Sequence, residues 1–232
     1  MVTIKSFIPI SFSDWDGKVS AVIFLSGCNF KCPFCYNKDL VFNSKDLKEI
    51  SPETVKDYLK NNADFVDGLV ITGGEPTVFS DLPDLCREIK KTGIAIKLDT
   101  NGSNPEMLQQ LIKEKLIDYV AMDIKLPLNR YGEVTEIKGI EQKIRQSLEI
   151  IKNFNYELRT TVVPGMHTGD DMLKLARDLE KIGVNKKFFL QQFKPLTTLD
   201  PKLEQVRPYS QNELEEMKQQ IAPYFKKIGL RI

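Results

Sequence analysis

Apolar residues in this chain repeat with two periods in turn, and that alternation restricts the fold more than any other feature. Val19-Ser20-Ala21-Val22-Ile23-Phe24-Leu25 is a nearly continuous apolar run, the pattern of a short strand buried on both faces. Comparable runs predict strands over 68–71, 94–99, 119–124, 158–163 and 187–193. The segments between them have helical spacing. Ser51-Pro52 reads as a cap with proline at the first helical position, and Val55, Tyr58 and Leu59 follow as a stripe. Leu82, Leu85, Cys86 and Ile89 recur at i, i+3, i+4 and i+7. Asn104-Pro105 opens a helix carrying Leu108, Leu111 and Ile112. Ile140, Ile144, Leu148 and Ile151 mark the next, then Met172, Ala176, Leu179 and Ile182. Ser210 with Glu213 forms a capping box, and Leu214, Met217, Ile221 and Phe225 are expected as that helix's inner face.

Strands joined by helices run parallel with right-handed crossovers. A full eight-unit barrel takes about 250 residues, so six units in 232 residues predict an α/β fold of the partial (β/α)6, TIM-like type. The expectation is one domain over 1–232, with a core from about 14 to 195 and a helical segment from about 208 to 232. Thirty-three Lys and Arg against 32 Asp and Glu exclude a protein that grips nucleic acid or an anionic membrane by net charge. No run approaches the ~18 apolar residues of a membrane span, and the first residues lack a secretory signal's basic and apolar regions. The expected location is cytoplasmic.

In folds of this type reactive groups sit at the C-terminal ends of strands. Six suggestive segments fall there: Cys28; Gly73-Gly74-Glu75-Pro76; Asp99-Thr100-Asn101-Gly102; Met122-Asp123-Ile124-Lys125; Arg159, within its strand; and Gln191-Gln192-Phe193. Cys28, Cys32 and Cys35 form C-x3-C-x2-C on one short loop, and Cys86 stands apart. Three thiolates can face one centre and leave a metal position unfilled, as a catalytic metal needs. A structural zinc site wants a fourth ligand, for which Cys86, His167 or an acid are the candidates. Cys86 lies in an apolar helical stripe, where a thiol acts as a small hydrophobe. Paired glycines after a strand let backbone approach a ligand, and Glu75 could meet a cation. Asp99 and Asp123 alone read equally as caps or turn residues, and Arg159 as the partner of an acid. Asp14-Trp15-Asp16-Gly17-Lys18 reads as a polar turn with an exposed tryptophan.

The cysteine loop, with an aromatic at Tyr36, resembles the signature of the radical S-adenosylmethionine (SAM) enzymes. The resemblance implies that Cys28, Cys32 and Cys35 hold three irons of a [4Fe–4S] cluster, and that the amino and carboxylate groups of SAM chelate the fourth. It implies reductive cleavage of SAM to methionine and a 5′-deoxyadenosyl radical. Tyr36 would lie near the adenine. Gly73-Gly74-Glu75 resembles the family's GGE motif, which holds the SAM amino group. The Asp99-Thr100 and Met122-Asp123 pairs resemble the glycyl-radical-enzyme activases, in which such residues bind a monovalent cation beside the SAM carboxylate. Lys125 would lie near the SAM ribose and carboxylate, and Arg159 would contact SAM.

The segment Asp14 to Lys18, together with Ser20 to Asn29, resembles most closely the activating proteins of anaerobic ribonucleoside-triphosphate reductase, and the family resemblance as a whole runs from about Asp14 to Pro195. The implied partners are that glycyl radical enzyme and an electron donor such as flavodoxin or ferredoxin, with no nucleic acid or membrane. Gln191-Gln192-Phe193 departs from the Pro-Tyr-His segment of some pyruvate formate-lyase activases. The alternatives are a compact radical SAM enzyme on a small molecule or peptide, of the 7-carboxy-7-deazaguanine synthase or pyruvate formate-lyase activase type, and a zinc-binding interaction module.

Overall fold

The computed structural model describes residues 2–42 and 46–232. Eight strands lie in chain order through the sheet: β1 (Ile4–Ser11), β2 (Ser20–Leu25), β3 (Gly68–Gly73), β4 (Ala95–Thr100), β5 (Tyr119–Asp123), β6 (Tyr156–Val162), β7 (Lys187–Gln192) and β8 (Lys227–Arg231). The helices are α1 (Lys38–Val41), α2 (Pro52–Asn61), α3 (Leu82–Lys90), α4 (Pro105–Lys113), α5 (Ile140–Ile151), α6 (Gly169–Ile182) and α7 (Gln211–Ile221). β2, β3 and β4 pair in parallel, as do β6, β7 and β8. The fold is therefore the expected α/β class with a parallel sheet, and each of the six predicted strands is present within about two residues of its expected ends. None of the helices in the described residues is long and apolar enough to cross a membrane.

By contacts the chain forms two compact units. One comprises residues 1–29, 39–100 and 106–120; the other comprises 30–38, 101–105 and 121–232.

In the first unit, Ser51 caps α2 by accepting the Thr54 N–H, with Pro52 in the first turn as predicted. β1 was not legible in the sequence. It pairs antiparallel with β2 at the end of the strand order, and its register shifts between Ile8 and Ser11, around Pro9. Proline has no N–H to give a ladder, so such a strand is tolerated at an edge and broken in pattern. Trp15 also departs from expectation. It is buried rather than exposed, packed with Val22 and Val70 and ringed by Phe24, Ala95 and Tyr119. A Cβ on Gly68 would lie 2.5 Å from its ring, so the bare glycine at the start of β3 makes room for the indole.

In the second unit, both predicted capping residues of α7, Ser210 and Glu213, close the box, and Thr168 with Asp171 does the same for α6. The segment 208–232 is not helical throughout. Helix α7 ends at Ile221, and Phe225 leaves it to stack on Phe188 at 4.7 Å. β8 then pairs with β7, although Gly229 interrupts its apolar run. That glycine lies against Phe189, where a Cβ would be 2.6 Å from the ring. Arg231 anchors the strand by a two-pronged contact to the buried Glu157 of β6, at 2.9 and 3.1 Å, with its guanidinium 3.9 Å over Phe189.

Candidate functional site

In the first unit three strand ends carry predicted residues. Beyond β2, Gly27 has φ +83° and Cys28 is half-buried. The turn after β3 is stitched to it through main chain: Gly74 N–H donates to Leu25 O and Glu75 N–H to Gly27 O, both at 2.8 Å. Glu75 is wholly buried, and its Oε1 accepts the Thr77 N–H at 3.0 Å, the Thr77 hydroxyl, and the Thr100 hydroxyl at 2.7 Å. It thus ties the ends of β3 and β4 together and caps the short turn that begins at Pro76. Asp99 faces the ammonium of Lys97 at 3.4 Å. Lys97 is itself buried and donates to the Asp14 carbonyl.

In the second unit Lys31 N–H donates to Val134 O at 3.0 Å, Cys35 N–H to Cys32 O at 3.0 Å, and Asp200 N–H to Pro33 O at 2.9 Å. These bonds root the loop that carries Cys32 and Cys35. Burial pushes the Cys32 thiol up to about 11, and the positive charge of Lys125 opposes that rise. Tyr36 stacks on Phe193 at 6.0 Å and 16°, and its hydroxyl accepts the Lys194 N–H at 2.6 Å, so its ring plane is held from both ends. Asp123 ends β5. Its Oδ1 accepts from Arg159 Nε at 2.7 Å and its Oδ2 from Lys125 Nζ at 3.1 Å. Burial raises the Asp123 carboxyl, but the charges and hydrogen bonds of Arg159 and Lys125 outweigh it and hold the group well below the usual carboxylate range.

The residues expected for a monovalent cation therefore have other neighbours. Asp99 faces Lys97, Thr100 donates to Glu75, and both oxygens of Asp123 meet side-chain cations. Met122 packs under Gly102 (φ +75°), where a Cβ would lie 2.0 Å from the thioether methyl.

The donor set fits a cluster better than zinc. A structural zinc site would need Cys86, His167 or an acid as a fourth ligand. Cys86 is buried in α3 and pushed up to about 12 by that burial, which makes it an inert hydrophobe. His167 has both ring nitrogens engaged, Nδ1 by the Val163 N–H at 3.1 Å and Nε2 by Lys125 O at 2.7 Å. Among the described residues no three His, Cys, Asp or Glu side chains meet at one point that could hold a single ion. Cluster thiolates bind separate irons and need no such point.

Burial lowers the His167 pKa below its ordinary value, so the folded ring stays neutral where the unfolded ring takes a proton. Stability from this ring is complete above about pH 6.5 and is lost as pH falls below it. His167 is the chain's single histidine. The melting temperature is expected to fall on acidification from about pH 6.5 to 5, with a shallower fall for His167→Gln. Equal slopes in thermal melts would refute the assignment.

Residues 22–179 match the sequence model of the Radical SAM superfamily. The chain belongs to that superfamily. It is a radical SAM enzyme, and its cofactors are a [4Fe–4S] cluster and SAM. It is 34% identical to a Methanocaldococcus jannaschii protein provisionally named glycyl-radical enzyme activating enzyme, over 98% of this chain and 95% of that one. A Thermococcus kodakarensis protein provisionally named GTP 3′,8-cyclase is 27% identical over 77% of this chain and 63% of its own length. The crystal structure of Streptococcus suis SuiB bound to SAM superposes with a TM-score of 0.67 at 16% identity, covering 90% of this chain and 52% of SuiB. That likeness is one of fold.

Sequence reasoning missed three buried residues that partner predicted ones: Lys97 faces Asp99, and Tyr131 and His167 bond the main chain of Lys125. Lys97 was read only as part of a strand, His167 only as a zinc candidate, and Tyr131 carried no signal. A buried lysine two positions before Asp99 was the one clue available in the sequence, since i and i+2 share a strand face.

Proposed function

We propose that this enzyme activates a glycyl radical enzyme, and that its target is an anaerobic ribonucleoside-triphosphate reductase. The match to the M. jannaschii relative, which runs almost end to end in both chains, supports the activase reading, and the choice of target rests on the resemblance of the segment from Asp14 to Asn29. The cyclase relative, by contrast, has more than a third of its length outside the match. In this reading Cys28, Cys32 and Cys35 hold the cluster and leave one iron for SAM. When bound, the cluster supplies the electron that breaks the C5′–S bond, releasing methionine and the 5′-deoxyadenosyl radical that takes a hydrogen from the target glycine.

The remaining roles belong to the chain's own groups. Gly73, Gly74 and Glu75 bring main chain close to the SAM amino group, with the Glu75 carboxylate bracing the turn. Lys125 and Arg159 oppose the SAM carboxylate, and Asp123 between them holds both cations in place. Tyr36, pinned by Phe193 and Lys194, offers a fixed ring to the adenine. Asp99 and Thr100 end β4, where Lys97 balances the charge of Asp99. A cytoplasmic flavodoxin or ferredoxin is the expected reductant.

The test is an anaerobic mixture of reduced protein, SAM and the reductase. A glycyl-radical signal in electron paramagnetic resonance, matched by 5′-deoxyadenosine, is the expected result. SAM cleavage with no radical on the reductase would remove the target and leave the small-molecule reading, for which GTP is the first substrate to try.

A further inference from the structure

Just beyond β5 the main chain of Ile124 and Lys125 is fully partnered, although only Ile124 is still beside a strand. Ile124 N–H donates to Arg159 O at 2.8 Å, and its carbonyl accepts the Thr160 hydroxyl at 2.8 Å. At Lys125 side chains take over from β6. Its N–H donates to Tyr131 Oη at 3.1 Å, and its carbonyl lies 2.7 Å from His167 Nε2. Because Val163 N–H donates to Nδ1, the ring proton sits on Nε2 and Lys125 O accepts it. His167 is fixed in turn: its N–H donates to Val163 O at 2.9 Å and its carbonyl accepts the Tyr209 hydroxyl at 2.8 Å. Tyr131 and His167 are both wholly buried, so water does not compete for these bonds.

The same two rings touch the cysteine loop. Tyr131 meets Phe30 edge-on at 6.3 Å, and His167 meets Phe34 edge-on at 6.2 Å. Phe30 and Phe34 flank Cys32, two residues away on either side. One pair of side chains therefore holds both the backbone that carries Lys125 and the loop that carries Cys32. A lysine is a compact charge on a flexible stem. Asp123 holds its tip at 3.1 Å, and the two aromatic partners hold its root.

We propose that Tyr131 and His167 are positioning residues, a two-sided main-chain clamp on Lys125 that aims its ammonium at the carboxylate of SAM. The inference rests on the reading of Lys125 as a SAM contact given above. Supporting side chains that fix a ligand group are as necessary to a site as the group itself, and their loss typically costs about 10- to 100-fold in affinity or activity.

The experiment is a double-mutant cycle on SAM affinity. Binding is read from the change that SAM produces in the resonance spectrum of the reduced cluster, with melting temperatures recorded beside it. Lys125→Met is expected to weaken SAM binding about 100-fold, and Tyr131→Phe and His167→Leu about 10-fold each. His167→Gln keeps one donor and one acceptor and should bind within about twofold of wild type. In the Lys125→Met background, Tyr131→Phe should add nothing further, because it keeps the ring contact with Phe30 and loses only the bond to Lys125. Additive losses would overturn the clamp, as would wild-type SAM affinity in Tyr131→Phe. The latter removes a single oxygen and stays informative if His167→Leu fails to fold. Unchanged affinity in Lys125→Met would instead overturn the SAM contact itself, and the clamp with it.

Discussion

Alanine at Cys28, Cys32 or Cys35 is expected to abolish both cluster assembly and SAM cleavage, whereas alanine at Cys86 leaves both intact. The cluster reading gives each of the three loop thiols its own iron, so the loss of one cannot be covered by the other two. Neither Cys86 nor His167 can stand in for a lost thiol. Cys86 is sealed inside α3 with its thiol pushed up to about 12, and His167 already uses both ring nitrogens. Removing the Cys86 sulfur should cost only about 1 kcal/mol, as for a small truncation in a core. Iron and sulfide per chain, together with 5′-deoxyadenosine after reduction, are the measurements. Retained iron with full SAM cleavage in any loop variant would refute the cluster assignment. Loss of iron in Cys86→Ala with an unchanged melting temperature would show that the wrong thiol had been set aside.

Gly74→Ala should be among the most damaging changes outside the cysteines, destabilising the fold by about 3–5 kcal/mol and lowering cluster content with it. The new Cβ would lie 2.0 Å from Gly27 O and 2.6 Å from Gly27 C, both main-chain atoms. They cannot swing aside as a side chain would, because Glu75 N–H donates to that same Gly27 oxygen and Gly74 N–H donates to Leu25 O. Relief requires moving the backbone immediately before Cys28. Gly73 is equally constrained, with φ +119° and a Cβ position 2.3 Å from Leu25 O. Gly93→Ala is the control. That glycine also has positive φ, at +82°, but nothing lies within 4 Å of its Cβ position, so only about 1 kcal/mol of backbone strain is expected. Urea midpoints and iron content of Gly74→Ala and Gly93→Ala are the measurements. Wild-type stability and full iron in Gly74→Ala would show that the close approach of the two turns is not required.

The turn at Gly74 shows what a motif conceals. Two glycines and an acid read as backbone approaching a ligand, with a carboxylate ready for a cation. In the fold the glycines also let two turns of the protein approach one another, and Glu75 faces inward to Thr77 and Thr100. Residue types were legible, but the partners of their atoms were not. Trp15 is a similar case: its polar neighbours suggested exposure, while the space beside Gly68, which buries it, is visible only once β2 and β3 are paired.

What the sequence determined by itself is what short-range spacing encodes. Apolar periods placed six strands and their helices, the capping box Ser210–Glu213 marked the start of α7, and C-x3-C-x2-C brought three thiols onto one loop. Each of these signals lies within a few residues of chain, where covalent geometry decides which side chains can meet. The tertiary structure alone decided the rest. Strands β1 and β8 break their own pattern at Pro9 and Gly229, and they exist because a neighbouring strand pairs with them. Lys125 meets Tyr131 six residues later, but Arg159 meets Asp123 across 36 positions and His167 meets Lys125 across 42. Burial makes those contacts obligatory, since a buried polar group needs a partner wherever the chain can supply one. No local period records which residue that will be.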